Sequence, residues 1–588
     1  MTSSDSSPTR SRSVLSELYL GHVRWDLLRS FPEQDAADRR RGDEVLARLE
    51  RLLLTCVDPG DVDDSGRLPG GFLDELRDQG FHTLMVPPSL GGLGLSLYNA
   101  YRVVEMAASW STPVAFSLAI SNGFGSGSYL PALPDGPLKD MISRRVTAGI
   151  VSAGADAEAA GTANQRRTTV AVRTDDEAAY LLTGEKLYIG NGPIAELMDV
   201  SATLVGEDGR EEVRLFFVDS RSPGLHVTAW HEFMGLRGAA IGALRLDGVR
   251  VPAEHLMGDS SDGWRMRPTA RTGRAPDLAE LATVGRTLVI APTSLAIAKM
   301  CLAWQRDFVH RRSIDGRNLA EYDEIQRLVA TTAADVFTIE SVAAWGLLGQ
   351  DRADTQPDLT AAKNLTSVTC WRVVDATMSL LGAEGYETAR SKARRGAAPL
   401  PVERAFRDAR ALRVAGGVDF MVDKWSAESN LASCYYAPQK PSHDGTGPDL
   451  TLLDDMRLSP TCAKHLSFVT EQAQAFSRAC RRLTRDTPQD LLFERQRTTR
   501  VVGQIGNELL SMTIVLARAA RLAESGKNAA LDLADISCSA SRIRLDGLWP
   551  QLTDDNDYAS TSDAWLNRTD LDFLLDGVLT DAAPTNRR

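Results

Sequence analysis

Residues 400–418 read Leu-Pro-Val-Glu-Arg-Ala-Phe-Arg-Asp-Ala-Arg-Ala-Leu-Arg-Val-Ala-Gly-Gly-Val. Residues 402–414 are periodic as a helix is, and Gly416 and Gly417 follow the run. Upstream, residues 287–311, 322–348 and 359–381 are long and periodic in the same way. Downstream, residues 437–447 are rich in Gly, Pro and His, and a last helical block covers about 459–552. Before about residue 275 the character changes. Residues 168–172, 180–183, 213–218 and 225–229 are short and β-rich, separated by Gly, Asp or Pro. Residues 244–251 alternate apolar and polar and stop at Pro252, as a strand should. Earlier still, Glu44, Leu46, Leu49, Leu52 and Leu53 restore helical spacing, interrupted by the turn-rich residues 87–94.

Helices, then strands, then helices predict segregated domains rather than βαβ alternation. The expected fold class is α+β, mainly α. It comprises an N-terminal helical domain (41–150), a central antiparallel β domain (151–265), a C-terminal four-helix bundle (266–440) and an additional C-terminal helical domain (441–588). Residues 1–40 are expected to be a disordered leader, because the first twelve are Ser/Thr-rich with no apolar core for a secretory signal. Residues from about 554 are expected to fray.

A chain of 588 residues needs two to four cores. The net charge of −12 argues against nucleic-acid binding, which needs a basic face. Arg394-Arg395 and Arg481-Arg482 read as solvated surface. Seven scattered cysteines with no C-x-x-C, and no H-x-x-x-H pair, suggest buried thiols in a reducing cytoplasm and no metal site. No apolar run of membrane-spanning length stands out, so no membrane span is expected. No G-x-S-x-G elbow or P-loop occurs, and residues 121–127, though glycine-rich, lack a following Lys-Thr.

The opening segment resembles the acyl-CoA dehydrogenase family, whose pattern is P-V-E-R-x-x-R-D-A-R-x-x-R-I-Y-E-G-T. Residues 87–95 resemble the family's P-E-x-x-G-G-L-G-L, and Leu182 to Gly192 resemble L-N-G-x-K-x-W/F-I-T-N-G. Met234-Gly235-Leu236-Arg237-Gly238, with Val249-Arg250-Val251-Pro252 and Gly258, resemble M-G-x-R-G…V-x-V-P…G. Residues 312–326 and Leu381-Gly382-Ala383-Glu384-Gly385-Tyr386 resemble two further family motifs in the right order. The block after about residue 440 looks like the extra helical domain of the very-long-chain branch. The resemblance implies an oxidoreductase using FAD, an acyl-CoA or acyl-carrier-protein substrate, and a homodimer.

It also implies where the chemistry should lie. The family's proton-abstracting glutamate falls on Gly416, and the alternative position used by some members falls on Arg286. Glu280 is about six residues upstream, nearly two turns away. No catalytic residue is therefore assigned. Arg286 reads either as a group favouring an anion or as a solvent- or phosphate-facing helix residue. Candidate FAD contacts are Thr162, Tyr188, Gly190, Arg312, Ser379 and Gly382. Among these, Tyr188 stands for the aromatic that shields the ring, while Gly190 and Ser379 replace a threonine and a glutamine. Gly385 could let a backbone approach phosphate. The adenine-side Q-F-G reads Ile314-Asp315-Gly316. Arg312 reads as a pyrophosphate donor or as a helix C-terminal charge. His231, Glu384 and Asp419 are relocated acids or bases at best, and more ordinarily surface residues. The basic insertion bearing Arg390, Lys392, Arg394 and Arg395 reads as a solvated loop or as a dock for an acidic carrier protein. Three functions stay open: a flavoprotein doing something other than ordinary α,β-dehydrogenation, a flavin-free acyl-thioester cyclase or lyase, and a non-catalytic subunit of a hetero-oligomer.

Overall fold

The computed structural model describes residues 11–579, apart from 163, 165, 207–208, 210, 258–277, 438–455 and 555. The first helical layer is built by Ala36–Cys56, Leu97–Trp110 and Thr112–Gly123. Asp35 and Ser96 cap the first two, accepting from Ala37 and Asp38 and from Asn99 respectively. Leu46, Leu49, Leu52 and Leu53 point inward as their spacing predicts. Their core is not local. It is continuous with Leu288, Ile290, Ala291, Leu295 and Ile297 on the long helix Leu278–Arg311.

The β domain holds β1 (Ser152–Ala155), β2 (Val170–Arg173), β3 (Ala179–Gly190), β4 (Leu197–Val205), β5 (Glu211–Asp219), β6 (Leu225–Trp230) and β7 (Ile241–Pro252). They form one seven-stranded sheet in the order β1-β4-β2-β3-β7-β6, with β5 on β4. The pairings β2–β3, β3–β7, β4–β5 and β6–β7 are antiparallel. β1–β4 and β2–β4 are parallel. β1 and β4 have no sequence signal of their own, and β3 runs well past the expected residue 183. Bulges let it do so, with register shifts between Leu182 and Gly184 and between Lys186 and Ile189. The second bulge places Tyr188 at φ 60, a left-handed conformation that is costly for a bulky residue.

The bundle consists of Leu278–Arg311, Asp323–Leu348, Gln356–Leu381, Val402–Leu412 and Asp419–Leu431. Two helices, Leu281–Arg311 and Asp323–Leu348, are long and apolar enough to cross a membrane by length and composition, and both are mostly buried inside the protein. The additional domain packs Pro460–Arg485, Gln496–Glu524 and Ala529–Leu548. The expected boundary near residue 440 is not a boundary between cores. Asp419–Leu431 packs on Gln496–Glu524 so closely that a Cβ on Gly503 would lie 2.1 Å from the Asp423 carbonyl oxygen. Asn507 donates to the Asp423 carboxylate at 2.9 Å.

The disordered-leader expectation is corrected for residues 11–40; residues 1–10 lie outside the described residues. Val14–Tyr19 is a helix capped by Ser13, and Val14, Leu15, Leu18 and Tyr19 are buried. Their i, i+1, i+4, i+5 spacing makes one apolar face, which rests against the additional domain and the bundle. Tyr19 meets Phe476 edge to face at 4.7 Å. The buried Asp358 carboxylate accepts from the Leu15 N–H at 2.8 Å and the Trp345 indole at 2.8 Å, anchoring the segment's first turn. The polar composition of the first dozen residues masks this face. At the other end, Tyr558–Leu566 is helical rather than frayed, with Tyr558, Trp565 and Leu566 exposed.

Candidate functional site

Helix Val402–Leu412 carries one motif into contact with another. A Cβ on Gly235 would lie 2.4 Å from the Arg407 carbonyl oxygen, so only glycine lets the loop 234–238 reach this helix. The Leu236 N–H donates to Asp408 Oδ1 at 2.6 Å. Arg407 donates to the Met234 carbonyl at 2.9 Å and forks onto both oxygens of Asp63 at 3.0 and 2.7 Å. Arg404 donates to the Pro59 carbonyl at 2.7 Å. The N-terminal helices, the β domain and the bundle thus meet on one helix. Burial pushes the Asp408 carboxyl up to about 6, and the ion pairs hold the Arg407 pKa above its ordinary value.

Just past the end of this helix the chain turns at Gly416 and Gly417, both at positive φ, +69 and +108. A Cβ built on Gly416 would lie 3.2 Å from Cγ of Arg286 and 3.7 Å from its Cβ and Cδ. The two positions to which the resemblance assigns the proton acceptor are therefore neighbours in space, and an arginine stem lies against the glycine. Arg286 is partly exposed. Its surroundings lower its pKa through desolvation, opposed by the charge of Asp156. Among the described residues it has no hydrogen bond or ion pair. Asp156 is already committed to Arg167, at 2.7 and 3.1 Å, and to the Ser201 hydroxyl at 2.5 Å. Immediately before Arg286, Gly285 permits close helix contact: a Cβ there would lie 2.6 Å from the Gly123 carbonyl oxygen.

Lys363 is the residue that sequence reasoning misses. It is 1 % exposed and donates to the Gly417 carbonyl at 2.6 Å, fixing the turn beside Arg286. Burial lowers its pKa to about 8, with the Arg286 charge adding to the effect and Asp419 and Asp423 opposing it. A lysine inside a helical pattern ordinarily reads as surface, and no local signal reveals a carbonyl 54 residues away. Asp419 is not a free base. Arg413 pairs with it through two nitrogens and, despite partial burial, keeps its pKa below the usual value. The side chain of Glu280 lies outside the described residues.

The expected flavin contacts divide into groups. Tyr188 is 59 % exposed and sits beside His231 at 4.9 Å and Phe233 at 6.0 Å, forming an open aromatic face. The buried His231 Nε2 has no hydrogen-bond partner among the described residues. The segment holding Thr162 leaves β1 and crosses β3, where the Leu187 N–H donates to the Ala157 carbonyl at 2.9 Å. Gly190 is crowded: a Cβ there would lie 3.0 Å from Phe116 and 3.2 Å from Ile120, so both fill space beside the missing threonine. Far along the bundle, Arg312 is exposed, 3.9 Å from Glu384, which Arg311 binds at 2.8 Å. Gly382, at φ +57, ends the helix whose last turn carries the exposed Ser379, and a Cβ on it would meet nothing within 4 Å. Ile314-Asp315-Gly316 belongs to a hairpin whose two central residues, Asp315 and Gly316, have φ 51 and 79, as a primed two-residue turn requires. An open aromatic face, an exposed cation and a helix-ending glycine with room around it fit an FAD.

Of the four cations of the basic insertion only Lys392 is buried, and Arg390, Arg394 and Arg395 are exposed. Lys392 donates to the carbonyls of Glu384 and Leu400. Arg395 pairs with Glu387 and Arg390 with Asp64. A groove of about 630 Å³ opens between Leu278–Arg311 and Asp323–Leu348, lined by Lys299, Arg306 and His310 among others. It begins about 20 Å along the helix from Arg286, at 1.5 Å per residue, and is separate from the Gly416 corner.

Helical domain, curled sheet and helical bundle, joined at one helix, define the class of fold, and comparison with known proteins gives the family. Residues 46–132 match the acyl-CoA dehydrogenase N-terminal domain, 153–249 the middle domain and 279–422 the C-terminal domain. The chain belongs to the acyl-CoA dehydrogenase family. It is 27% identical to "Probable acyl-CoA dehydrogenase FadE10" of Mycobacterium bovis, over 97% of this chain and 91% of that one. It is 28% identical to cyclohexane-1-carbonyl-CoA dehydrogenase of Geobacter metallireducens, over 61% and 88%. In fold it resembles an acyl-CoA dehydrogenase from Bacillus anthracis solved with FAD (TM-score 0.71, 17% identity, 94% of each chain).

Proposed function

We propose that this protein is an FAD-dependent enzyme of acyl thioesters, CoA- or carrier-bound, whose reaction does not use a carboxylate to remove the α-proton. The observation that carries this reading is the contact between Gly416 and Arg286. Glycine has no side chain to accept a proton, and a guanidinium stays protonated throughout the physiological range. A positioned base is worth about a hundred- to ten-thousand-fold in rate, so its absence at both positions argues against ordinary dehydrogenation. Bound FAD would supply two-electron redox chemistry. Tyr188 would cover the ring, and Arg312 and the Gly382 turn would serve the phosphate side. Arg286 would present positive charge to the reacting end of the substrate. A homodimer and a cytoplasmic setting belong to the same reading.

A flavin-free cyclase or lyase is the second reading, favoured by the packing of Phe116 and Ile120 into the space beside Gly190. The purified protein decides between them by its visible spectrum and by mass analysis of released cofactor. The expected result is bound FAD that stays oxidised when a saturated acyl-CoA is added without oxygen. Absence of flavin at every loading selects the second reading. Rapid bleaching by butyryl-CoA overturns the claim that α,β-dehydrogenation is lost.

A further inference from the structure

Arg286 presents a problem that the fold does not solve internally. Its guanidinium has five donors in a fixed fork, yet among the described residues none is used. Asp156, whose charge acts on it, and Asp419 and Asp423, which act on the neighbouring Lys363, are already engaged. Asp156 is held by Arg167 and Ser201, Asp419 by Arg413, and Asp423 by Asn364 and Asn507. The buried Lys363 stands close enough to add repulsion. A cation partly removed from water and left without a protein partner favours a ligand that supplies the countercharge. Gly416 keeps the approach clear, since any side chain there would begin 3.2 Å from the arginine stem. Phosphates of the thioester's carrier would be remote from this corner in the reading above, which brings the acyl chain's reactive carbons to it.

We propose that Arg286 binds a carboxylate carried on the acyl chain near the thioester, so that the favoured substrates are thioesters of short dicarboxylic acids. This rests on the acyl-thioester reading of the cleft. A guanidinium matches a carboxylate with two parallel hydrogen bonds, whereas lysine offers a point charge. The site thus selects for an anionic acyl group where a proton acceptor would have selected for an acidic C–H.

The test is equilibrium binding of malonyl-, succinyl- and glutaryl-CoA against butyryl-CoA to the intact protein, followed by calorimetry. At least one dicarboxylyl thioester should bind about ten- to a hundredfold more tightly than butyryl-CoA, as expected for a hydrogen-bonded charge pair. Arg286→Gln should abolish that preference, while Arg286→Lys should keep part of it. Equal affinity for all four in the unaltered protein overturns the inference and leaves the acyl-thioester reading standing. Equal weakening of all four in Arg286→Gln also overturns it, and points to a phosphate contact instead. Absence of binding by every thioester overturns both readings. The comparison within the unaltered protein stands even if a variant fails to fold.

Discussion

The two ends of helix Val402–Leu412 are held to different constraints. Along its body, Arg404, Arg407 and Asp408 grip three domains through backbone carbonyls, an N–H and a forked ion pair. Just past its end, Gly416 faces Arg286, and the pattern of the family breaks. The first region tolerates little because its partners are backbone atoms and cannot adjust. The second can be rebuilt by exchanging side chains alone. Fold and chemistry are thus separable over about a dozen residues of one chain.

The sharpest way to break the comparison is at the grip. Gly235→Ala drives a methyl to within 2.4 Å of one backbone oxygen and 2.5 Å of its carbon. Neither side can yield without shifting a strand-bearing loop or the helix. The expected cost is about 4 kcal/mol, among the largest for a single methyl, read by denaturant unfolding. A cost below about 1 kcal/mol would mean that the domains are not locked here.

A second test uses pH. The Asp408 carboxyl is raised to about 6 by burial, against an ordinary 3.8. The folded state therefore holds the proton more tightly than the unfolded state does. This contribution to stability is complete below about pH 4 and is lost as pH rises through about 6. Its size is up to about 3 kcal/mol at 1.36 kcal/mol per unit. Asp358, raised to about 7, and Asp423, raised to about 6, act in the same direction, so the measured quantity is a difference. Stability of the unaltered protein minus that of Asp408→Asn should fall between pH 4 and 6 and be flat above. A difference independent of pH would show that the grip does not depend on this proton.

What the sequence can say follows the same division. Collinear motifs locate the glycine-rich loop at 234–238 and the charged helix at 402–414, because backbone contacts demand fixed residue types. That the two touch is not legible, since they lie about 170 positions apart. Arg286 is found only because the small residues after it align. Lys363 escapes notice because its carbonyl partner is non-local. The N-terminal segment misleads because polar residues precede a six-residue helix whose apolar face gains stability only against Asp358, Trp345 and Phe476. β3 reads as ending at its first bulge, because a pleated alternation followed residue by residue does not anticipate a register shift.

The smallest expected effect probes the altered end. Gly416 has φ +69, where a side chain costs about 1–2 kcal/mol, partly offset by the lower entropy of the unfolded chain. An added methyl would sit 3.2 Å from Cγ of Arg286, a flexible stem that can give by a few tenths of an ångström. Gly416→Ala should therefore cost about 1 kcal/mol, well below Gly235→Ala, in the same unfolding assay. Gly416→Glu should fold with a similar penalty and place its carboxylate within reach of the Arg286 guanidinium. The two would pair, holding the new carboxylate's pKa down and making it a poor proton acceptor. No dehydrogenation of butyryl-CoA should appear in this variant with an artificial electron acceptor. If it does appear, the corner was never rebuilt around the arginine, and the glycine alone separates this protein from a dehydrogenase.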